Sequence, residues 1–578
     1  MTPPNYFSTD QPFRREIRRL YDTDDLDWAE PRLERFGRLV AETVADNSDV
    51  VDRNGPVLHT FDADGALANE VAFHPAHLEN ERLVFESGIV ADSFVAPPGR
   101  DDPLPISHNL AMQYLLSYAD VGLDCPVAMS AGVALVLERF ADTEAGPLAQ
   151  YYDGLTARSY DDLMQGAMFL TERQGGSDVG ATETVARRDP ATGRWHLEGE
   201  KWFCSNLHAE ATLALARPEG SPPGTEGLAM FLVPHTREDG TLNDQRYRRL
   251  KDKLGTVSVP TGEVELEGAE AYLVGEADRG FKQMAEMLNL ERLSNAVGAC
   301  GLMGRARLES VRHAAEREAF GRHLDRHPLM RVDLVDMTVD HEAATAFTFE
   351  AVRHFADRET ARRTGADPGA SYPLMRGLVP IAKARTGRMA VETASYAMEI
   401  LGGNGYVADF VTHRLLRDAQ VLPIWEGTEN VLSLDLLRAF ATTDAQGAIL
   451  SAVDDHLDGV EAAELESDLA TVEAARDDLA EAIASLATAD RDHAERVAKR
   501  LLHLVFDVVT AAVLLAEAQT RLASADDARL ALVARRFVDR ELRHDAARGV
   551  PDGDPLVAEH AEAIIRYAAV DRFAVDAG

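Results

Sequence analysis

The stretch ATGRWHLEGEKWF, residues 191–203, sets short polar and apolar steps beside one another and is cut by glycines. That is the texture of half-buried β-strands rather than of a helix. Three similar runs follow: ATLALARP (211–218), GLAMFLVP (227–234) and TGEVELEGAEAYLV (261–274). From Thr171 to about Leu273 such runs are split by Gly, Pro and Asp, which predicts a β-rich unit. The flanks read differently. Up to about residue 168 the chain is mainly helical in pattern, as in RLERFGRLVAETVAD and HNLAMQYLLSYADVG, with apolar residues at three- and four-residue steps. From Gly280 the run ERLSNAVGACGLMGRARLESVRHAAEREAF puts Leu293, Val297, Cys300, Met303 or Gly304, and Val311 on one helical face. Helices, strands, helices in that order predict an α+β chain with a β-domain between two helical ones. The expected domains are 1–168, 169–279, 280–440 and an acidic, Ala-rich extra helical domain, 441–578. Within the last, residues 441–480 suit a linker or an amphipathic helix equally.

With 578 residues the chain is long enough for two to four packed units. Its first residues, MTPPNYFSTDQPFRREIRRL, lack the charged, apolar, small-residue order of a signal peptide. The longest apolar run, Leu501 to Ala516, contains His503 and Asp507 and reads as a buried helix, so no membrane partner is expected. Cys125, Cys204 and Cys300 lie far apart and match no metal spacing, which suits a reduced, cytoplasmic protein. The net charge of −38 argues against general nucleic-acid binding. Lysine is scarce: Lys201, Lys251, Lys253, Lys282, Lys383 and Lys499 are the only six, so 53 of the 59 basic residues are arginines. Such an acidic, lysine-poor composition resembles that of proteins from salt-accumulating organisms. Near 1 M salt the screening length falls to roughly 3 Å, and net charge then says less about partners.

Five stretches carry chemistry. TERQGGSDVG (171–180) has the paired glycines and hydroxyls of a loop that offers backbone N–H groups to a ligand, or of an ordinary turn. In KWFCSN (201–206), Phe203 and Ser205 fall on one face of a strand, where they can cover and hydrogen-bond a flat heterocycle or simply pack. EREAFGR (316–322) ends a helix with an arginine that can meet a phosphate. LGGNGY (401–406) has more glycine than a C-cap needs, which suggests close backbone approach. In PIWEGTENVLSLDLLRAF (423–440), Glu426 is a loop acid, a helix-entry charge or a base, and Thr428 can cap the helix that starts near Glu429. P-loop, Rossmann and GxSxG patterns are absent, HEAATAF at His341 is no zinc motif, and DGDPL near Asp552 is no calcium loop.

In order and separation, T-E-x-x-G-G-S-D, K-W-F-x-S-N, R-x-A-F-G, L-G-G-N-G-Y, R-D-A and W-E-G-T resemble the acyl-CoA dehydrogenase family over about residues 100–440. FHPAH (73–77), CPVAM (125–129), RLKDKLG (249–255) and HPLMR (327–331) extend the likeness to an adaptive-response branch of that family. The resemblance implies a helical N-terminal domain, a middle β-barrel, a C-terminal four-helix bundle and FAD as cofactor. By matching position, Thr171 faces the flavin and Ser177 lies near the pyrophosphate. Phe203 packs the ring, with Ser205 beside it. Arg317 and Phe320, with Gly402 and Gly403, serve the FAD of a neighbouring subunit, so a homo-oligomer (dimer or tetramer) is implied. Trp425, beside Glu426, borders the cofactor, and Thr428 and Asn430 lie near its diphosphate and adenosine on the helix that follows. Three positions depart from the family pattern: Met168, Pro328 and Glu399 replace a Tyr and two Gln.

The implied reaction is α,β-desaturation of an acyl-CoA thioester, with an electron-transfer flavoprotein or another acceptor as redox partner. It needs a carboxylate base in a dry site and donors on the thioester oxygen. Glu426 matches the usual base, Glu291 the base of other branches, and the related nitroalkane oxidases use Asp there. Two alternatives stand beside the enzyme: a DNA-alkylation-response flavoprotein that binds or protects DNA, through a patch such as ARRFVDRELRHDAAR (534–548), and a scaffold without turnover.

Overall fold

The structure is a computed structural model that describes residues 4–543 and 553–572. The chain divides into two compact units, residues 1–6 with 28–294 and residues 7–27 with 295–578.

The first unit contains nine strands: β1 (Val57–Phe61), β2 (Leu67–Ala72), β3 (Gly166–Phe169), β4 (Val185–Arg188), β5 (Trp195–Ser205), β6 (Ala211–Pro218), β7 (Ala229–Pro234), β8 (Gln245–Leu250) and β9 (Thr261–Val274). β6 pairs with β4, β4 with β5, β5 with β9, β9 with β7, and β7 with β6 again. The five strands therefore close a ring, which leaves no open edge among them. β3 runs parallel to β6 outside that ring, and β8 lies against β9. The expected β-barrel is present.

The N-terminal part is less uniformly helical than its pattern predicts. β1 and β2 form an antiparallel hairpin whose turn is held by Asp62, which accepts from the Asp64 and Ala66 amides. HNLAMQYLLSYADVG is two helices, Ser107–Leu116 and Val121–Phe140, because Asp120 N-caps the second by accepting from the Leu123 amide at 2.9 Å. The second helix lies close to β3: Ser130 accepts from the Gly166 amide, and a side chain at 166 would strike the backbone of Met129 and Ser130.

The second unit is helical. Helices Pro328–Thr364 and Ser371–Leu401 pack on each other, the second also packs with Glu429–Thr442, and the later part of Gly280–Glu316 meets the first through Arg307 with Thr338 and Cys300 with Thr348. The predicted face of that first long helix is buried at Leu293, Val297, Cys300, Met303 and Val311. Residues 441–480 are not a linker, since helices Ala445–Leu457 and Glu466–Leu486 occupy them. The apolar run 501–516 lies in helix Arg491–Ala525, most of whose apolar window is buried.

Ion pairs stitch the terminal helices to this unit. Arg15, from helix Gln11–Leu20, meets Glu517 at 2.6 Å and Glu342 at 3.3 Å, and Arg19 meets Glu350 at 2.9 Å. Arg529 also donates to Glu342, whose carboxyl sits at about 2 because these cations outweigh the burial that opposes its charge. Tyr567 lies between Arg307 and Arg529, whose guanidinium carbons are 4.2 and 4.7 Å from its ring centre.

Candidate functional site

In the first unit the loop TERQGGSDVG and the strand segment KWFCSN meet. The Trp202 amide donates to the Thr171 carbonyl at 2.9 Å. Gly176 packs so closely on Thr171 that a Cβ there would lie 2.6 Å from its hydroxyl. Between them Glu172 is buried and accepts from Lys201 at 2.8 Å and from the Thr184 hydroxyl at 2.5 Å. Burial raises its pKa, but Lys201 and these hydrogen bonds bring it down to about 2, so it is a fixed anion that anchors the loop. Ser177 lies exposed on that loop.

The β5–β9 register slips between Lys201 and Cys204, a bulge that brings both aromatics within reach of one cation. The Lys251 ammonium is 3.4 Å from the Trp202 ring centre and 4.7 Å from that of Phe203. Phe203 itself is 56% exposed. Ser205 shares a 3.2 Å hydrogen bond with the Thr261 hydroxyl, to which Lys253 donates at 3.2 Å while also donating to the Thr256 and Val259 carbonyls. Lys251 and Lys253 were visible only as letters of RLKDKLG, and sequence reasoning gave them no task.

Glu291 lies in helix Gly280–Glu316, buried against helix Val121–Phe140. A Cβ built on Gly132 would meet Met287 at 2.8 Å and the Glu291 Oε1 at 3.0 Å. Only glycine at 132 lets both side chains lie there.

In the second unit Glu426 sits in the turn that precedes helix Glu429–Thr442, half-buried, with φ at 56°. Gly427 follows at 101°. A left-handed non-glycine residue costs roughly 1–2 kcal/mol, so the surrounding structure must hold it. Three contacts do so. Buried Lys383 donates to the Gly427 carbonyl at 2.6 Å, and Asn295 donates to the Leu422 carbonyl at 3.3 Å. Gly387 comes close enough that a Cβ would lie 3.0 Å from that same Leu422 oxygen. None of the three was found from sequence.

Trp425 is half-buried, and its indole N–H is enclosed without an acceptor among the described residues. Thr428 occupies the N-cap with extended backbone, but its side chain makes no capping hydrogen bond, contrary to expectation. Asn430 is exposed in the first turn. Glu429 accepts from His503 at 2.7 Å, and although burial opposes its charge, His503 and Lys499 hold it below the usual range.

Arg317 and Phe320 belong to a different element, the hairpin of β10 (Glu318–Ala319) and β11 (Arg322–His323). Phe320 and Gly321 form its two-residue turn, both with positive φ, and Phe320 is 97% exposed. Gly402 ends helix Ser371–Leu401 with φ at 62°, and neither it nor Gly403 has an atom within 4 Å of a built Cβ. Met168 lies in β3, Pro328 opens its helix, and Glu399 lies near the end of Ser371–Leu401.

Each unit by itself carries groups that suit part of a flavin dinucleotide. An exposed aromatic beside a hydroxyl suits an isoalloxazine, an enclosed indole N–H lacks an acceptor that such a cofactor can supply, and open glycines leave backbone free for a diphosphate.

Family models match three stretches of the chain. Residues 1–162 match the family described as the adaptive response protein AidB N-terminal domain, 167–269 the acyl-CoA dehydrogenase middle domain, and 278–441 the acyl-CoA dehydrogenase C-terminal domain. The chain belongs to the acyl-CoA dehydrogenase family, and as a member it is an FAD-dependent oxidoreductase of that class. It is 32% identical over 444 residues to acyl-CoA dehydrogenase family member 11 of Caenorhabditis elegans, covering 76% of this chain and 71% of that protein. It is 33% identical over 401 residues to the putative acyl-CoA dehydrogenase AidB of Escherichia coli, covering 67% and 69%. The solved structure of C. elegans ACDH-11 in complex with C11-CoA superposes with a TM-score of 0.87 at 28% identity, over 94% of this chain and 93% of that one.

Proposed function

We propose that the protein desaturates an acyl-CoA thioester between its α and β carbons, with Glu426 as the base that removes the α-proton. The observation that carries this reading is the left-handed backbone of Glu426, in a turn pinned from two helices by Asn295, Gly387 and Lys383. A loop acid with no task needs no such restraint. Trp425 beside it excludes water, which favours a carboxylate that can take up a proton. Bound FAD supplies the acceptor for the β-hydride, at the flavin N5. Thr171, Phe203 and Ser205 are assigned to the flavin ring, Ser177 and Thr428 to the diphosphate, and Asn430 to the adenosine side. The C11-CoA held by the solved relative supports a thioester as the ligand class.

Arg317, Phe320, Gly402 and Gly403 are assigned to the FAD of a second copy, which makes the working form a homo-oligomer. The almost fully exposed Phe320 supports this. Phe320→Asp is expected to lower the sedimenting mass, and an unchanged mass counts against it. An electron-transfer flavoprotein is the proposed acceptor.

Glu426→Gln tests the base. It should retain FAD and lose the bleaching of the flavin by C11-CoA, and unchanged bleaching would move the base to Glu291. The described arginines of the stretch considered for DNA binding are engaged in ion pairs. In 534–543, Arg535 and Arg543 pair with Asp468, Arg536 with Asp336, and Arg540 with Asp340. Residues 544–548 of that stretch lie outside the described residues.

A further inference from the structure

Lys383 is completely buried in helix Ser371–Leu401, in a chain with only six lysines. Its ammonium donates to the Gly427 carbonyl, outside that helix, at 2.6 Å. A buried ammonium is strongly disfavoured unless it is hydrogen-bonded. A charge-assisted bond of that length fixes the direction of the acceptor peptide. The acceptor here is the peptide immediately after Glu426 and Gly427, the two positive-φ residues of the turn.

We infer that Lys383 is a positioning residue for Glu426: by holding the Gly427 carbonyl it keeps the turn in the one conformation that presents the carboxylate to the α-proton. This rests on the assignment of Glu426 as base. Lys383 has no task in binding the thioester, so its loss should slow proton removal without weakening ligand binding.

The test uses the full-length, FAD-loaded protein with C11-CoA as probe. Lys383→Met keeps the stem of the side chain and removes the donor. Its rate of flavin bleaching should fall about 10- to 100-fold, the scale of a base displaced by around 1 Å. Exchange of the C11-CoA α-hydrogens with D2O, followed by mass spectrometry on the dithionite-reduced protein, should fall by the same factor, while the dissociation constant for C11-CoA changes less than about twofold. A lysine that only fills the core would leave both rates at the parental value in whatever fraction folds, and that result overturns the inference. An equal loss of rate and of C11-CoA affinity also overturns it. If Lys383→Met does not accumulate, Lys383→Arg carries the test: it keeps the charge but cannot place a single donor at the same point. Its exchange rate should fall at least threefold, and a parental rate again overturns the inference. Glu426→Gln, measured alongside, separates the two readings. Unchanged exchange in Glu426→Gln removes the base assignment itself, whereas abolished exchange there with a parental rate in Lys383→Met removes the role of Lys383 alone.

Discussion

Lys201 donates to Glu172 at 2.8 Å inside the β-barrel, and both side chains are buried. Lys201→Met leaves a carboxylate in the core with its hydroxyl and amide donors but no counter-charge. Removing one partner of a buried pair destabilises by about 3–5 kcal/mol. A clear fall in melting temperature and faster loss of FAD are expected, read by calorimetry and flavin fluorescence. The two partners differ in pH behaviour. Burial lowers the Lys201 pKa, so the pair contributes less than the Glu172 shift alone implies. For Glu172, at about 2 in the fold against an ordinary value near 4.3, the contribution is present above about pH 5 and is lost as pH falls towards 2. The stability difference between parent and Lys201→Met should shrink over that window.

Gly387→Ala probes the Glu426 turn from the helix that also carries Lys383. The new Cβ would meet the Leu422 carbonyl oxygen at 3.0 Å and the Pro423 nitrogen at 3.3 Å, so the turn must give by a few tenths of an ångström. Flavin bleaching by C11-CoA is expected to slow about tenfold with the fold intact, and Gly387→Val should slow it further. Stopped-flow absorbance is the measurement, and parental rates in both variants would show that the turn does not need the helix behind it.

Asp507 carries the opposite pH signature. Burial pushes its pKa up to about 7, partly offset by Arg385 at 3.9 Å. The folded state therefore holds a proton that the unfolded chain releases above about pH 4. This side chain's contribution falls as pH rises from about 4 to 7 and stays unfavourable above that. Asp507→Asn should raise the melting temperature at pH 8, by about 2 °C per 1 kcal/mol for a body of this size. At pH 5 the gain should be much smaller, and below about pH 4 it should vanish. Equal gains at pH 8 and at pH 5 would show that charge is not the cause.

Glu342 is surrounded by cations that come from elsewhere in the chain, Arg15 from the N-terminal helix and Arg529 from the tail. A chain cut after Thr442 keeps Glu342 and Glu350 in the bundle but loses Arg529, Glu517 and His456. Such a fragment is expected to fail to accumulate as soluble protein. The subtler Arg529→Met should cost about 3 kcal/mol or more, measured by urea unfolding of the intact protein.

Much of the architecture was legible because its signals are local. ATLALARP and TGEVELEGAEAYLV are β6 and β9 to the residue, set by apolar or alternating runs and by Pro218 and Gly275 at their ends. The hairpin of β1 and β2 was missed although its turn signal, Asp-Ala-Asp-Gly at 62–65, is in the sequence, because the strands around it are short and only half-buried. Asp120 was read through as part of one helix, since its capping role depends on where the backbone turns. The residues that restrain Glu426 come from positions 295, 383 and 387, and no spacing along the chain announces that they converge on one turn. The one available hint was compositional: a lysine in the apolar run LVPIAKA, in a protein that otherwise uses arginine.

That lysine economy has a practical side. Lys201 and Lys383 are fully buried, while Lys251 and Lys253 are engaged by Glu263 and by backbone carbonyls, which leaves Lys282 and Lys499 exposed. Amine-selective reagents should therefore modify the folded protein at two side chains besides the α-amine, one on helix Gly280–Glu316 and one on helix Arg491–Ala525. Mild acylation would attach a dye or a solid support at these few amines without an engineered tag. The appearance of further labelled lysines would report the opening of the barrel or of the turn that carries Glu426.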